Sequence, residues 1–127
     1  MLRPWPGADS TADTKSVTSR ILLASGLVYV GEWTTYGDLG AAATDGGNAA
    51  RQAARLAANH PDFANAHRVL GSGGVVVHSA GGQENARLRR ERLEEEGVEF
   101  FGRIADASRR VRWAELRGRL SELERFT

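Results

Sequence analysis

The apolar positions of the chain predict short amphipathic helices that are separated by glycine-containing turns. The first pattern covers residues 16–27, ends at Gly26 and has apolar side chains at Val17, Ile21, Leu22 and Ala24. A second helix is expected from Thr35 through an alanine-rich run that Gly46 and Gly47 break. A third is expected over residues 49–59, and a charged fourth over residues 84–96. A last helix is expected over residues 114–125.

The second and third helices carry recognisable start and stop signals. Thr35 followed by Asp38 three residues later has the pattern of a capping box. Asn48 is the expected N-cap of the third helix, which should stop before Pro61 because a residue that precedes proline disfavours the α region. Two short helices joined by a glycine-containing turn are typical of a helix-turn-helix.

Short extended segments are expected between the helices. A β-hairpin over residues 67–78, turning at residues 71–74, would follow the helix-turn-helix as a wing. Further short extended segments are expected at residues 27–30, 98–101 and 111–113. The predicted fold class is therefore α/β, mostly α, as a single small domain with a winged helix-turn-helix.

Length and composition limit what this domain can be. At 127 residues, the chain suits one domain of ordinary size. We expect a disordered tail over residues 1–14, the winged-helix domain over residues 15–101, and a C-terminal extension over residues 102–127 that packs on the domain or follows it. No membrane span or signal peptide is recognisable, so we expect a soluble cytoplasmic protein.

Charge and cysteine content narrow the chemistry. The formal net charge is only +1, so nucleic-acid binding would require local clustering of basic residues. The absence of cysteine excludes disulfides, thiolate metal ligands and thiol catalysis. No phosphate loop, nucleophile elbow or metal-ligand spacing is present, and no metal or cofactor is expected.

Two segments of the helix-turn-helix carry candidate DNA-binding chemistry. Arg51 and Arg55 stand one turn apart, beside Gln52, on a third helix whose other side chains are mostly methyl groups. The pattern suits a stable helix with two solvated arginines, or a slim recognition helix that enters a DNA groove. Thr35 and Tyr36 begin the preceding helix, where backbone N–H groups suit a phosphate. Capping explains Thr35 equally well, and Tyr36 could be a core residue.

Four motifs, in order, resemble one known family. They are Thr34-Thr35-Tyr36-Gly37-Asp38-Leu39, Asn48-Ala49-Ala50-Arg51-Gln52-Ala53, Ala66-His67-Arg68-Val69 and Arg92-Leu93-Glu94-Glu95-Glu96-Gly97-Val98. Together they resemble the O(6)-alkylguanine-DNA alkyltransferases, whose Pro-Cys-His-Arg-Val signature reads Asn65-Ala66-His67-Arg68-Val69 in this chain. Because Ala66 stands where the family has its reactive cysteine, the chain is similar to the alkyltransferase-like proteins.

The resemblance implies roles for individual residues. Arg51 matches the arginine that fills the place of an extruded nucleotide, and Tyr36, beside Thr35, matches the tyrosine that presses on the target phosphate. His67 and Glu96 match the pair that activates the thiol, and are expected to persist as a hydrogen-bonded remnant without catalytic function. The implied DNA-binding residues are Thr35, Tyr36, Arg51, Gln52 and Arg55, and the implied lesion pocket comprises Tyr36, Asn65, Ala66 and Arg68.

The resemblance implies a non-enzymatic sensor of DNA damage, with the fold of the alkyltransferase C-terminal domain. Such a protein would bind duplex DNA through the minor groove, flip an O(6)-alkylguanine into its pocket and mark the lesion for nucleotide excision repair. Expected partners are O(6)-alkylguanine DNA and damage-sensing excision-repair proteins of the UvrA type, with the protein itself a monomer. The rival readings are a winged-helix module without lesion specificity (a regulator or adaptor) and an alkyltransferase with an unusual acceptor.

Overall fold

A computed structural model describes residues 17–77 and 82–126, with the side chains of residues 82–84 left aside. The predicted tail at residues 1–14 lies outside the described residues. Five helices are present among them: α1 (residues 17–25), α2 (Tyr36–Thr44), α3 (Ala50–Asn59), α4 (Gly82–Glu95) and α5 (Trp113–Arg125). The mostly α fold class predicted from the sequence is confirmed. No helix within the described ranges is both long and apolar enough to cross a membrane.

Two very small sheets connect the helices. Strand β1 (Thr34–Thr35) pairs in parallel with β2 (Val69–Leu70), so that Thr34 faces Val69. Strand β3 (Phe100–Phe101) pairs antiparallel with β4 (Ile104–Ala105). Short 3₁₀ turns lie at Ala66–Arg68, Ser72–Gly74 and Ala107–Arg109.

The apolar side chains form two clusters that flank the parallel strand pair. The larger cluster joins α1, α2, α3 and α5; fully buried members include Ile21, Leu39, Ala53 and Leu116. The smaller cluster forms around Trp33, with Leu70, Leu93, Val98 and Ala105. Because α5 supplies Leu116 to the larger cluster, the C-terminal extension packs directly on the domain.

Helix α2 begins and ends as its sequence signals indicate. The Thr35 hydroxyl accepts a hydrogen bond from the Asp38 N–H at 3.0 Å, as an N-cap does. At the other end Asp45 adopts the left-handed conformation (φ 58°), and the Gly46 N–H donates to the Ala41 carbonyl at 2.7 Å.

Helices α2 and α3 approach each other at Gly40. A Cβ atom at Gly40 would lie 2.5 Å from the Ala49 carbonyl carbon, closer than any packed structure allows. The helix-turn-helix angle therefore depends on the missing side chain at this position.

Three predicted local features are wrong in detail. Asn48 is not the cap of α3, because the first helical hydrogen bond runs from Ala53 N–H to the carbonyl of Ala49. Residues 27–30 form turns instead of an extended segment, because the Glu32 N–H closes onto the Tyr29 carbonyl. Residues 111–113 form no strand, because Trp113 begins α5.

The predicted hairpin over residues 67–78 is reduced to a tight turn. Ala66–Arg68 is a 3₁₀ turn, β2 pairs with β1, and one antiparallel bridge joins Gly71 to Val75. The close parallel neighbour at β1 takes the hydrogen-bonding groups that a hairpin partner would use. Residue 78 lies outside the described residues.

Arg119 of α5 holds the loop that the sequence predicted to be extended. Its guanidinium donates to the Leu27 carbonyl at 2.7 Å and to the Glu32 carboxylate at 2.8 Å, and lies 4.5 Å from the centre of the Tyr29 ring. The hydrogen bond from Arg119 lowers the pKa of Glu32.

A buried ion cluster fixes the 3₁₀ turn at Ala66–Arg68 onto the end of α4. Arg68 donates from Nε to Glu96 Oε1 at 2.9 Å and from a terminal nitrogen to Oε2 at 3.0 Å, and also reaches the Val28 carbonyl. His67 Nε2 lies 2.8 Å from Glu96 Oε2. The hydrogen bonds from Arg68 dominate in lowering the pKa of Glu96 to about 2.

Substitution of Gly40 tests the close approach of α2 and α3. We expect Gly40→Ala to lower the free energy of unfolding by about 1–3 kcal/mol, because the added methyl group forces the helices apart. Gly118→Ala in α5 is the matched control, since a Cβ there meets nothing within 4 Å. The control should be neutral or stabilising by up to about 1 kcal/mol in urea melts. Equal effects of the two changes would contradict this account.

The Glu96 carboxylate should make stability depend on acid pH. Its lowered pKa contributes stability that is complete above about pH 4.5 and is lost as the pH falls towards about 2. We expect Glu96→Gln to cost about 1–3 kcal/mol at pH 7, because Arg68 loses its counter-charge, and to flatten the pH dependence between pH 5 and pH 2 in urea melts. Glu91→Gln, which removes an exposed ion pair with Arg87, should change stability by less than about 0.5 kcal/mol. If the free energy of unfolding of Glu96→Gln still falls as steeply between pH 5 and pH 2, other groups cause the pH dependence.

Candidate nucleic-acid interface

The predicted recognition helix α3 presents an exposed cationic edge. Arg51 and Arg55 are exposed, and neither side chain forms an ion pair or hydrogen bond with any residue that the structure describes. They line a groove of about 730 Å³ together with Thr18, Gln52 and the start of α3. Arginines that are not paired within the protein remain able to pair with phosphates or stack against bases.

Gln52 has a structural task as well as a place in this groove. Its side-chain amide donates to the Thr18 hydroxyl at 2.9 Å and so ties α3 to α1. The Thr35 hydroxyl, also predicted to contact DNA, is buried and held by Asp38. The structure thus shows the capping role of the hydroxyl, and its contact with DNA stays a prediction.

Tyr36 lies at the first position of α2, directly after the cap. It is half-buried and packs against the larger apolar cluster. The position is compatible with both interpretations of Tyr36 from the sequence. Its ring packs in the core, and its backbone lies at the helix N-terminus, which suits a phosphate.

A cavity of about 460 Å³ adjoins Ala66. One wall is the C-terminal part of α3, with Ala57 and Ala58, and the base is formed by Ala66 and His67. The other wall is a face of α4 that includes Leu88, Arg89, Arg92 and Glu95. The groove beside Arg51 and the cavity beside Ala66 thus share α3, which connects them.

Only one residue of the predicted lesion pocket lines this cavity. Ala66 does, but Tyr36, Asn65 and Arg68 do not. The Arg68 guanidinium is turned to Glu96 and the Val28 carbonyl, where burial and two ion-pair contacts hold it. The Asn65 amide donates to the carbonyls of Ser25 and Val28, so Asn65 positions the turn instead of facing the cavity. Its left-handed backbone (φ 55°) suits asparagine.

The sequence did not predict that residues of α4 line the cavity. Leu88, Arg92 and Glu95 recur at intervals of four and three residues, which places them on one side of a helix. That spacing was available in the sequence, but it does not reveal which element the face opposes.

The chemistry of this site excludes transfer to a thiol. Ala66 carries a methyl group where a nucleophile would stand, and the chain has no cysteine. His67 remains hydrogen-bonded to Glu96, and burial lowers the pKa of its imidazole, so the ring is neutral near pH 7. Within the described part of the chain, no three histidine, aspartate or glutamate side chains are grouped so as to hold a metal ion.

Comparisons with known proteins identify the family of this domain. The family model of the 6-O-methylguanine DNA methyltransferase, DNA binding domain, matches residues 16–98, more than half of the chain. No curated protein matches the sequence.

The chain is similar to a solved structure, the crystal structure of S. pombe Atl1 in complex with damaged DNA containing O6-carboxymethylguanine. It is 27% identical, with a TM-score of 0.56, and the match covers 68% of this chain and 81% of that chain. This chain therefore belongs to the family of the 6-O-methylguanine DNA methyltransferase DNA-binding domain, and it is of the alkyltransferase-like type because it has no cysteine to accept an alkyl group.

Proposed function

We propose that this protein binds O(6)-alkylguanine in duplex DNA, holds the flipped base without removing the alkyl group, and marks the lesion for nucleotide excision repair. The observation that carries the proposal is the cavity beside Ala66, which is lined by His67 of the His67–Glu96 pair and has no thiol to accept an alkyl group. Its volume of about 460 Å³ falls in the range of ligand pockets in proteins, roughly 300–1,000 Å³.

Helix α3 supplies the DNA contacts in this proposal. Its many methyl side chains let the helix backbone come close to a groove, while Arg51 and Arg55 provide positive charge. Flipping a base costs a few kcal/mol, which contacts in the pocket and in the vacated base stack must offset. We assign Arg51 to the vacated stack and Arg55 to a phosphate, with Tyr36 placed at the N-terminus of α2 near the target nucleotide.

Ala66 gives the pocket its selectivity in this scheme. A methyl side chain at the base of the cavity leaves space for a bulky alkyl group on the guanine O6 atom, where a larger residue would fill it. The similar Atl1 structure, which contains O6-carboxymethylguanine DNA, supports a lesion of this class.

Marking for excision repair follows from binding without repair. A lesion that is bound but not repaired still has to be removed. Damage-sensing excision-repair proteins would therefore have to recognise the complex of this protein with the lesion. The face of α4 that points away from the cavity lies outside the groove beside α3, and such a protein would have access to it there.

The first experiment compares two duplexes that differ at one base. Fluorescence anisotropy at physiological salt should show binding to the O(6)-methylguanine duplex about tenfold tighter than to the guanine duplex, which corresponds to about 1.4 kcal/mol. Intact-protein mass spectrometry after incubation should show no methyl adduct on the protein. Equal affinities would favour the hypothesis of a winged-helix module without lesion specificity. A methyl adduct on the protein would favour the hypothesis of an alkyltransferase with an unusual acceptor.

A pair of substitutions on α3 separates stacking from charge. Arg51→Ala should weaken binding to lesion DNA by about tenfold or more, because it removes the group that fills the vacated stack as well as a charge. Arg55→Ala should weaken it by about threefold, as expected for one phosphate contact. Both residues are exposed, so the melting temperature should not change. Equal losses of affinity would remove the stacking role from Arg51.

A further inference from the structure

A second groove lies on the side of α4 that faces away from the cavity beside Ala66. Its volume is about 510 Å³, within the range of ligand pockets in proteins, roughly 300–1,000 Å³. We call it the valine groove; it is lined by residues 75–77, by Ala86, Arg87 and Arg90 of α4, and by Phe100 and Arg103. With about 3.6 residues per helical turn, its three α4 residues centre on the side of the helix nearly opposite to the α4 residues of the cavity. A ligand in the valine groove therefore leaves the cavity free.

The floor of the valine groove is apolar and rests on the core. Val76 and Phe100 pack against the smaller apolar cluster, yet both remain partly exposed. Val75 is held by backbone bridges to Gly71 and Ile104. Because core and backbone contacts fix these residues, the floor is formed without a ligand and offers apolar surface that a ligand would bury.

The rim of the valine groove is basic. Arg103, in the turn between β3 and β4, is exposed and forms no ion pair or hydrogen bond with any residue that the structure describes. Arg90 lies 4.6 Å from the centre of the Phe100 ring and donates to the Gly102 carbonyl at 2.9 Å, which holds its positive charge at the edge of the floor. Among the described residues that line the groove, three are arginines and none is a carboxylate.

Two of these arginines contact glutamates of α4, which reduces but does not remove the positive charge of the rim. Arg87 lies 2.8 Å from Glu91, and Arg90 lies 3.3 Å from Glu94. Both pairs are exposed and therefore weak, and neither glutamate lines the valine groove. Arg103 has no ion pair of this kind in the described ranges. A ligand that carries carboxylates would therefore find a partner at Arg103 and could share the other two arginines.

We propose that the valine groove is a docking site for an acidic peptide segment of a partner protein. One apolar side chain of the segment enters the groove, and flanking carboxylates pair with the arginines of the rim. A phosphate backbone would match these arginines but leave the apolar floor uncovered, so a peptide suits both parts of the groove. The inference deepens the marking step of the proposed function and rests on it for its purpose, whereas the docking itself requires no lesion.

The test selects ligands without assuming their sequence. Short random peptides displayed on phage are selected in parallel on the immobilised wild-type chain and on Arg55→Glu, and only peptides enriched on both are kept. This step removes peptides that bind the arginines of α3. The remaining peptides should combine aspartate or glutamate with leucine, isoleucine or phenylalanine. Enrichment of neutral or basic peptides, or of none, would overturn the docking site.

Substitutions in the valine groove show where an enriched peptide binds. In fluorescence anisotropy, Arg103→Glu should bind the labelled peptide about tenfold more weakly or less well still, because an opposite charge becomes a like charge. Arg55→Glu is the matched control with unchanged peptide affinity, since Arg55 is likewise exposed but lies in the groove beside α3. Val77→Asn should weaken binding about threefold or more through loss of apolar surface. If Val77→Asn destabilises the protein, Arg103→Glu still gives the answer, and undiminished binding to it would overturn the proposal.

Binding to DNA separates this inference from the proposed function. Arg103→Glu should bind the O(6)-methylguanine duplex as the wild type does, whereas Arg55→Glu should bind it more weakly. The peptide should bind the free protein and its complex with the duplex equally well. Loss of DNA binding in Arg103→Glu without loss of peptide binding would assign the rim to DNA and overturn the docking site. A protein that binds the peptide through Arg103 but does not distinguish the two duplexes keeps the docking site and loses lesion recognition.

Self-association is the remaining occupant to be tested. Analytical ultracentrifugation of the wild-type chain should show a monomer. A dimer that Arg103→Glu converts to a monomer would identify a second copy of this chain as the occupant of the valine groove and overturn a partner segment.

Discussion

The buried carboxylate of Asp38 is the interaction on which the rest of the structure depends. It accepts hydrogen bonds from the Thr35 hydroxyl at 3.0 Å, from the Arg110 guanidinium at 2.9 Å and from the Trp113 N–H at 3.2 Å. One side chain thus joins the cap of α2, the segment before α5 and the first turn of α5. A buried charge is tolerated only when it is paired and hydrogen-bonded, and here the partners come from 72 and 75 residues further along the chain.

The two ends of the site are held by the same kind of contact. Asp38 secures the end of α2 that carries Tyr36, and Glu96 secures the turn that carries Ala66. In each case a carboxylate forms an ion pair with an arginine that is remote in sequence and contacts a second hydrogen-bonding group. The side chains that would touch DNA or a flipped base therefore do not have to hold the fold, because the strong interactions lie one layer behind them. A site that binds a ligand without reacting with it depends on a fixed shape. These two ion clusters hold the backbone around the site in that shape.

Local signals in the sequence predicted the helices well, whereas long-range pairing could not be read from them. Thr35, Asp38, Gly46 and Pro61 act on their immediate neighbours, so the limits of α2 and the end of α3 followed from them. The sequence gives no sign that Asp38 meets Arg110, because nothing local distinguishes one arginine from another. The same holds for Arg68, which was expected in the pocket but pairs with Glu96. Similarity to a family placed His67 beside Glu96, but the α4 wall of the cavity required the structure.

Two backbone hydrogen bonds join Trp33 to the segment before α5, and they affect how cooperatively the domain unfolds. The Trp33 N–H donates to the Arg109 carbonyl at 3.0 Å, and the Val111 N–H donates back to the Trp33 carbonyl at 2.8 Å. These amides join the start of the DNA-binding motif to a stretch of chain that follows it by more than 70 residues, so neither can open without the other. Their hydrogen exchange should therefore proceed through global unfolding, as for the most protected amides of a domain. The C-terminal extension is in this sense part of the same folding unit as the helix-turn-helix, and its loss would release the DNA-binding motif along with it.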